Sequence, residues 1–187
     1  MIAPDDVSVV VPTRGNVPMD EIVASLEDAG FEDIIIWDNS KRENHWLYAR
    51  YAAIAEAKND VIATHDDDVI VTHWPEILEA YEPGVVTISY PQEWDIPWVA
   101  TGAVFDKESV RRAFDRYFTM FDDDDDFRMF ICDGIFVELC GERNVLAFPY
   151  REMPWANDSG RISTEPGWYN DKRGLIRARC DMVKAAA

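Results

Sequence analysis

A chain of 187 residues, 48% of them apolar and 12% aromatic, carries enough apolar side chain for one well-buried core, which excludes global disorder; two independent cores would each be small. Its formal net charge of -18, from 36 acidic against 18 basic residues, argues against a sequence-blind grip on nucleic acid, which needs clustered Lys and Arg to displace phosphate counterions. Cys132, Cys140 and Cys180 are odd in number and lack the doubled CxxC spacing of a zinc site, so they read as reduced, buried thiols.

In chain order, the run VSVVV at residues 7–11, ended by Pro12 and followed by Gly15, has the β-branched character of a buried parallel strand that opens into a loop. Pro18, the first-turn acids Asp20 and Glu21, Ile22 and Leu26 one helical turn apart, and Gly30 as a stop predict a helix. Residues 34–37 repeat the strand pattern and end at Asp38-Asn39-Ser40. An Ala-rich segment over residues 45–57 predicts a second helix, and residues 61–64 a third strand that runs into Asp66-Asp67-Asp68. This β-α-β-α-β order predicts a parallel sheet with ligands gathered beyond the carboxyl ends of its strands, where Asp38 and the triplet would meet.

Further on, the pattern predicts helices over 75–81 and 107–118 and strands over 85–90, 101–105 and 145–150. The acidic run at 122–126 reads as an exposed loop or the start of a helix over 129–140. Residues 154–168 read as a long ordered loop before a final helix over 171–183. No apolar stretch approaches the ~20 residues that span a bilayer. The amino terminus lacks the basic, apolar and small-residue succession of a secretion signal, so a cytoplasmic protein is expected. Arg111, Arg112 and Arg116, and Arg173, Arg177 and Arg179, read as solvated faces or as partners for the many carboxylates rather than as a nucleic-acid groove.

Three consecutive aspartates after an apolar strand are costly to place together, because like charges crowd and each must stay solvated or meet a cation. Mg²⁺ and Mn²⁺ remove that cost: they prefer carboxylate oxygen and keep positions open for phosphate, which makes a nucleotide diphosphate the natural companion. A solvated turn is the alternative. The apolar flanks at 61–63 and 69–71 favour the ligand reading, since solvated turns are usually flanked by Gly, Pro or Asn.

The succession VSVVVPTRGN, IIIWDNS and ARYAAIAEAKNDVIATHDDDVIV resembles the nucleotide-binding half of family 2-like GT-A glycosyltransferases. That resemblance implies an α/β fold, a three-layer α/β/α sandwich around a mostly parallel central sheet. It also implies a nucleotide-sugar donor, UDP- or GDP-linked, and a divalent Mn²⁺ or Mg²⁺ cofactor. By the same resemblance Pro12, Thr13 and Arg14 line the nucleotide and Asp38 contacts its base. Asp66, Asp67 and Asp68 meet the metal and the diphosphate, with Asp66 and Asp68 as metal ligands.

Arg50 stands where the family often has an Arg-Asn pair facing the nucleotide, but Tyr51 replaces the Asn; the alternative is a helix-surface Arg paired with Glu56 or Asp60. ATGAVFDKESV is similar to the segment that closes over donor and acceptor, where Gly102 either leaves room for a substrate or permits a tight strand. FICDGIFVELCGERN resembles the helix that supplies the catalytic base of inverting enzymes. Cys132 replaces the Glu of the family's acidic pair, which leaves Asp133 as the candidate base, or else as a helix N-cap or first-turn carboxylate. No His lies beyond His73 to serve as a late metal ligand; Asn157 or Asp158 could substitute, a turn role being the plainer one. His65 alternates away from Asp66 and reads as packed or hydrogen-bonded. Trp94, Trp98, Trp155 and Trp168 are sugar-stacking candidates, with core packing as the default.

On this resemblance the chain is one domain, with a nucleotide-binding half over 1–71, an acceptor and catalytic half over 85–150, and a C-terminal loop and helix over 151–187. The expected reaction is metal-dependent sugar transfer to an unknown acceptor, inverting, with Asp133 as base. The chain is short for the family, so a second subunit or the acceptor itself would complete the acceptor site. Two other readings stand beside it. DDDVIV also resembles the nucleophile motif of haloacid-dehalogenase-like phosphatases, with Lys107 and Asp133 as the remaining charged groups, although two strand-helix units precede a motif that normally ends the first strand. The other is a non-catalytic module that binds a nucleotide sugar.

Overall fold

The chain's computed structural model describes residues 1–90, 98–156 and 168–186, with side chains in the last segment from residue 172 onward. Strands β1 (Val7–Thr13), β2 (Asp33–Asp38), β3 (Val61–Thr64), β5 (Val86–Ser89), β6 (Ala103–Asp106) and β7 (Arg143–Leu146) form one sheet in the order β2-β1-β3-β6-β5-β7. Neighbours pair in parallel except where β6 runs against β3 and β5. The expected mostly parallel α/β sheet is therefore present.

Both faces of this sheet are covered, which is why every residue of β1 is buried. Val7, Val9, Val11 and Val104 belong to one core with Ile22 and Leu26 of α1 (Asp20–Asp28) and Ile77 and Leu78 of α3 (Trp74–Glu79). Val10, Ile62, Ile88 and Phe105 belong to a second core. It includes residues of α2 (Ala49–Ala52), α4 (Lys107–Phe118), α5 (Cys132–Leu139) and α6 (Trp168–Ala186). The alternation of a β-strand thus sorts its side chains into two helical layers, giving the three-layer arrangement.

Three expectations change. The helix predicted over 45–57 is a short α-helical segment, α2, with 3₁₀ turns over Trp46–Tyr48 and Ala53–Glu56, the tightening common where a helix is too short to satisfy its own ends. The strand predicted over 145–150 is two strands in different sheets. Pro149 cannot donate to a ladder, so β7 stops at Leu146, and β8 (Tyr150–Glu152) instead pairs antiparallel with β4 (Val69–Val71), directly after the acidic triplet. The helix predicted from 129 begins as a π-turn over Phe127–Ile131 before α5 proper. The three cysteines are buried free thiols, as expected.

The acidic run does more than coat a loop. Asp123 pairs with Arg128 at 2.7 Å, Asp124 with Arg179 at 3.0 Å and Asp126 with Lys172 at 3.0 Å. The last two contacts tie α6 to the turn that precedes α5. Arg111, likewise, is paired with Glu108 and Asp115. These arginines answer carboxylates.

At the amino ends of the parallel strands a buried polar network fixes three segments at once. Ser8 Oγ donates to Asp33 Oδ2 at 2.6 Å, the Lys58 N–H donates to the same oxygen at 2.9 Å, and the Asn59 N–H donates to Ser8 Oγ at 3.0 Å. Burial alone would raise the Asp33 pKa, but the Ser8 hydroxyl and the Lys58 contacts outweigh it and hold the carboxyl below its ordinary value. A depressed folded pKa means stability that is present above the unfolded value of 3.8 and lost as pH falls through the folded one. Asp33→Asn should accordingly cost about 1–2 kcal/mol in urea unfolding at pH 7, and the gap from wild type should narrow once pH drops below the ordinary Asp range of ~4.

Candidate active site

The carboxyl ends of β1 and β2 lie side by side, with Thr13 opposite Asp38 in register and Pro12 opposite Trp37. The chain leaves β1 through Gly15, whose φ of +79° suits glycine. A Cβ there would sit 2.3 Å from Asp38 Oδ1 and 2.2 Å from Ser40 Oγ, so the glycine is required by space as well. Thr13 Oγ1 accepts from the Gly15 N–H at 3.1 Å, and Thr13 O accepts from the Asn39 N–H at 2.9 Å. Asp38 is held in place: Oδ1 accepts from the N–H and hydroxyl of Ser40 at 2.9 and 2.6 Å, and Oδ2 meets Lys41 Nζ at 2.7 Å. Lys41, then Ser40, draw its pKa down to about 2.

The first two aspartates of the triplet have different partners. Asp66 Oδ1 accepts from Arg50 Nη2 at 2.8 Å. Asp67 turns toward β1, against the Thr13 hydroxyl and the Arg14 backbone N–H; burial nevertheless raises its pKa, and the neighbouring Asp66 charge adds to this. Its Oδ2 is buried and lacks a hydrogen-bond partner in the protein. Asp68 has its side chain buried.

The backbone of the turn is clamped from the far end of the sequence: Met153 N–H donates to Asp68 O, and the Trp155 indole N–H to Asp67 O, both at 2.8 Å. Trp155 was a stacking candidate, and nothing in its spacing foretold this backbone contact. His65 is packed and hydrogen-bonded, as expected. Nδ1 lies 2.6 Å from Asp66 O and Nε2 accepts from the Val71 N–H at 3.4 Å, while burial lowers its pKa to about 4 and keeps it neutral.

Asp133 enters from the first turn of α5, 2% exposed. Its Oδ1 accepts from Tyr51 Oη at 2.8 Å and lies 3.2 Å from Arg50 Nε. Burial raises the Asp133 pKa, opposed by Arg50 and Tyr51 and assisted by the charge of Asp66. Arg50 itself is 1% exposed. Burial would discharge it, but Asp133 and Asp66 more than offset that and keep it a cation. Arg50 is thus not a surface residue paired with Glu56 or Asp60; Glu56 is the partner of Arg42. Tyr51, passed over in the sequence except as a departure from the family pattern, is a member of the site, and that departure was the available signal.

Two sequence candidates stand differently. Gly102 has φ +102°, and the space beside it is bounded by Val71 and Ile77 at 3.1 and 3.3 Å, so its backbone conformation and the packing around it account for the glycine. Lys107, needed by the phosphatase reading, donates to Ala57 O at 2.9 Å while its N–H donates to Asp60 O, at the opposite end of β3 from Asp66. The geometry therefore counts against a phosphatase. Trp98 is buried in a core. Trp94, Asn157, Asp158 and the side chain of Trp168 lie outside the described residues.

Among the described residues no three His, Cys, Asp or Glu side chains converge on a common point. Hard carboxylate oxygens and the orphaned Asp67 Oδ2 nevertheless suit Mg²⁺ or Mn²⁺, which is commonly held by one or two carboxylates with substrate phosphates completing the shell.

No family model matches the sequence, and no curated protein matches it. One solved structure similar to it is described as a glycosyltransferase involved in the glycosylation of the major capsid of PBCV-1. The match has 10% identity and a TM-score of 0.48, and covers 75% of this chain and 81% of that one.

The shared guanidinium makes a prediction about stability. Arg50→Met leaves Asp133 buried without its cation, and it should lower unfolding free energy by about 3 kcal/mol at pH 7 in urea titrations, with a smaller loss when Asp133→Asn is present as well.

Proposed function

We propose that the chain is a metal-dependent glycosyltransferase that moves a sugar from a nucleotide-diphosphate donor to an acceptor hydroxyl with inversion. The observation that carries this reading is the bridge made by Arg50 between Asp66 and Asp133, residues far apart in sequence. Through it, an acidic turn suited to a diphosphate and a desolvated carboxyl suited to proton abstraction sit at one end of the sheet. Open α/β sheets take their ligands at that end.

In this reading the Thr13-Arg14 edge and Asp38 receive the nucleotide. Asp66 and Asp68 would hold a Mn²⁺ or Mg²⁺ ion, which when bound neutralises charge on the departing diphosphate. Asp133 takes the proton of the acceptor hydroxyl as that oxygen bonds to the anomeric carbon; the bond from this carbon to the phosphate oxygen breaks, and the nucleoside diphosphate leaves. Such a base works best with a pKa near the working pH, and the burial that raises Asp133 acts in that direction.

Thermal unfolding tests the reading. The protein is heated with Mn²⁺ or Mg²⁺ and a panel of UDP-, GDP-, CDP- and dTDP-sugars. A donor present at 100 times its Kd adds about 2.7 kcal/mol to the native state, a Tm rise of roughly 5–10 °C for a domain of this size. The rise should require metal, select one nucleotide and vanish in Asp68→Ala. No rise with any donor would count against glycosyl transfer.

A further inference from the structure

The two contacts to Asp133 fall on the same oxygen. Tyr51 Oη and Arg50 Nε both approach Oδ1, at 2.8 and 3.2 Å, and the Cys132 thiol lies 3.9 Å from it. A carboxylate so held cannot rotate freely, because turning it would trade a hydrogen bond and an ion-pair contact for neither. Oδ2 is the oxygen outside these contacts. The geometry points to Tyr51 as a positioning residue that fixes Asp133 with Oδ2 as the proton-accepting atom, an inference that rests on the transferase reading above.

Three features make Tyr51 suited to this. Its ring is 6% exposed and locked among aromatic neighbours, edge-on to Phe114 at 4.8 Å and to Phe136 at 5.6 Å between centroids, so the hydroxyl has a fixed origin. Burial and the facing Asp133 charge raise its own pKa well above the ordinary value, so it stays a donor and does not compete for the proton. It also directly follows Arg50 in α2, so the residue that pairs with the acidic turn and the residue that orients the base are set by one short segment. The Arg50 guanidinium has a second duty on Asp66, whereas the Tyr51 hydroxyl donates to Asp133.

A general base misplaced by an ångström loses rate by up to ~100-fold while ground-state binding of the other substrate is untouched. The test uses water as acceptor, following release of nucleoside diphosphate from whichever UDP- or GDP-sugar stabilises the wild type most, with Mn²⁺. Tyr51→Phe keeps the ring and should lower kcat about 10- to 100-fold with the donor KM within twofold. On an Asp133→Asn background the same substitution should have no further effect, a result that loss of packing would not give.

A Tyr51→Phe enzyme with wild-type kcat, or one in which KM rises and kcat does not change, overturns the positioning role while leaving the transferase reading standing. A wild type that neither binds nor hydrolyses any donor overturns both. Should Tyr51→Phe melt well below wild type, Asp133→Glu serves instead. It displaces the carboxyl by one methylene from the position it holds against the Tyr51 hydroxyl and should show the same kcat loss at constant KM; unchanged kcat there overturns the inference.

Discussion

A single guanidinium serving two carboxylates is the interaction on which the rest of this site depends. Asp133 is almost wholly buried, and a carboxylate out of water must either find a cation or take up a proton. Arg50, buried to the same degree, has the same problem with the opposite sign. Each answers the other, and Asp66 shares the arrangement from the rim. A Lys could supply the charge but not the reach: the extended guanidinium donates a hydrogen bond from Nη2 to Asp66 while its Nε side lies 3.2 Å from Asp133 as an ion pair.

That pairing demands that α5 arrive at the sheet in one place, and the elements around it show how this is arranged. Gly134, next to Asp133, lets α6 lie against α5: an added Cβ would come 2.4 Å from Ile176 Cδ1. The acidic run fastens the same two elements by a different means, with Asp124 and Asp126 reaching Arg179 and Lys172 of α6 and Asp124 Oδ1 capping the Phe127 N–H at 2.7 Å. The surface pairs are individually weak. Their value lies in register: several pairs along one seam leave α5 few alternative positions, and the carboxyl it carries stays at the end of the sheet.

The first half of the fold was legible because its signals are local. The β-branched runs, the glycine stops and the polar residues at strand ends each follow from short-range chemistry, and they gave β1, β2, β3 and α1 in the right places. The candidate site was legible in part for the same reason: Asp38 and Asp66 stand at or just past strand ends, and Asp133 in the first turn of a helix. What did not show was whatever depends on long-range choice. Whether residues 145–152 continue one strand or divide between two sheets turns on Pro149 and on where β4 lies. One of the two partners of Arg50, Asp133, is carried by α5, more than 80 residues away. A sequence shows that Arg50 needs a carboxylate; it offers Glu56 and Asp60 nearby and gives no reason to pass over them.

The carboxylates of the site are also set apart from one another by environment, and this bears on how one protein can use several of them. Asp38, hydrogen-bonded to Ser40 and paired with Lys41 at the rim, is held ionised at any ordinary pH. Asp133, desolvated in the interior, has its proton affinity raised. The first is suited to fixed recognition of a polar group and unsuited to carrying a proton; the second is the reverse. Carboxyls whose surroundings push their pKa values in opposite directions are how a single fold assigns different tasks to the same functional group. Here the division is built from ordinary parts: an exposed loop with a Ser and a Lys for one, and a helix start packed under a Tyr and an Arg for the other.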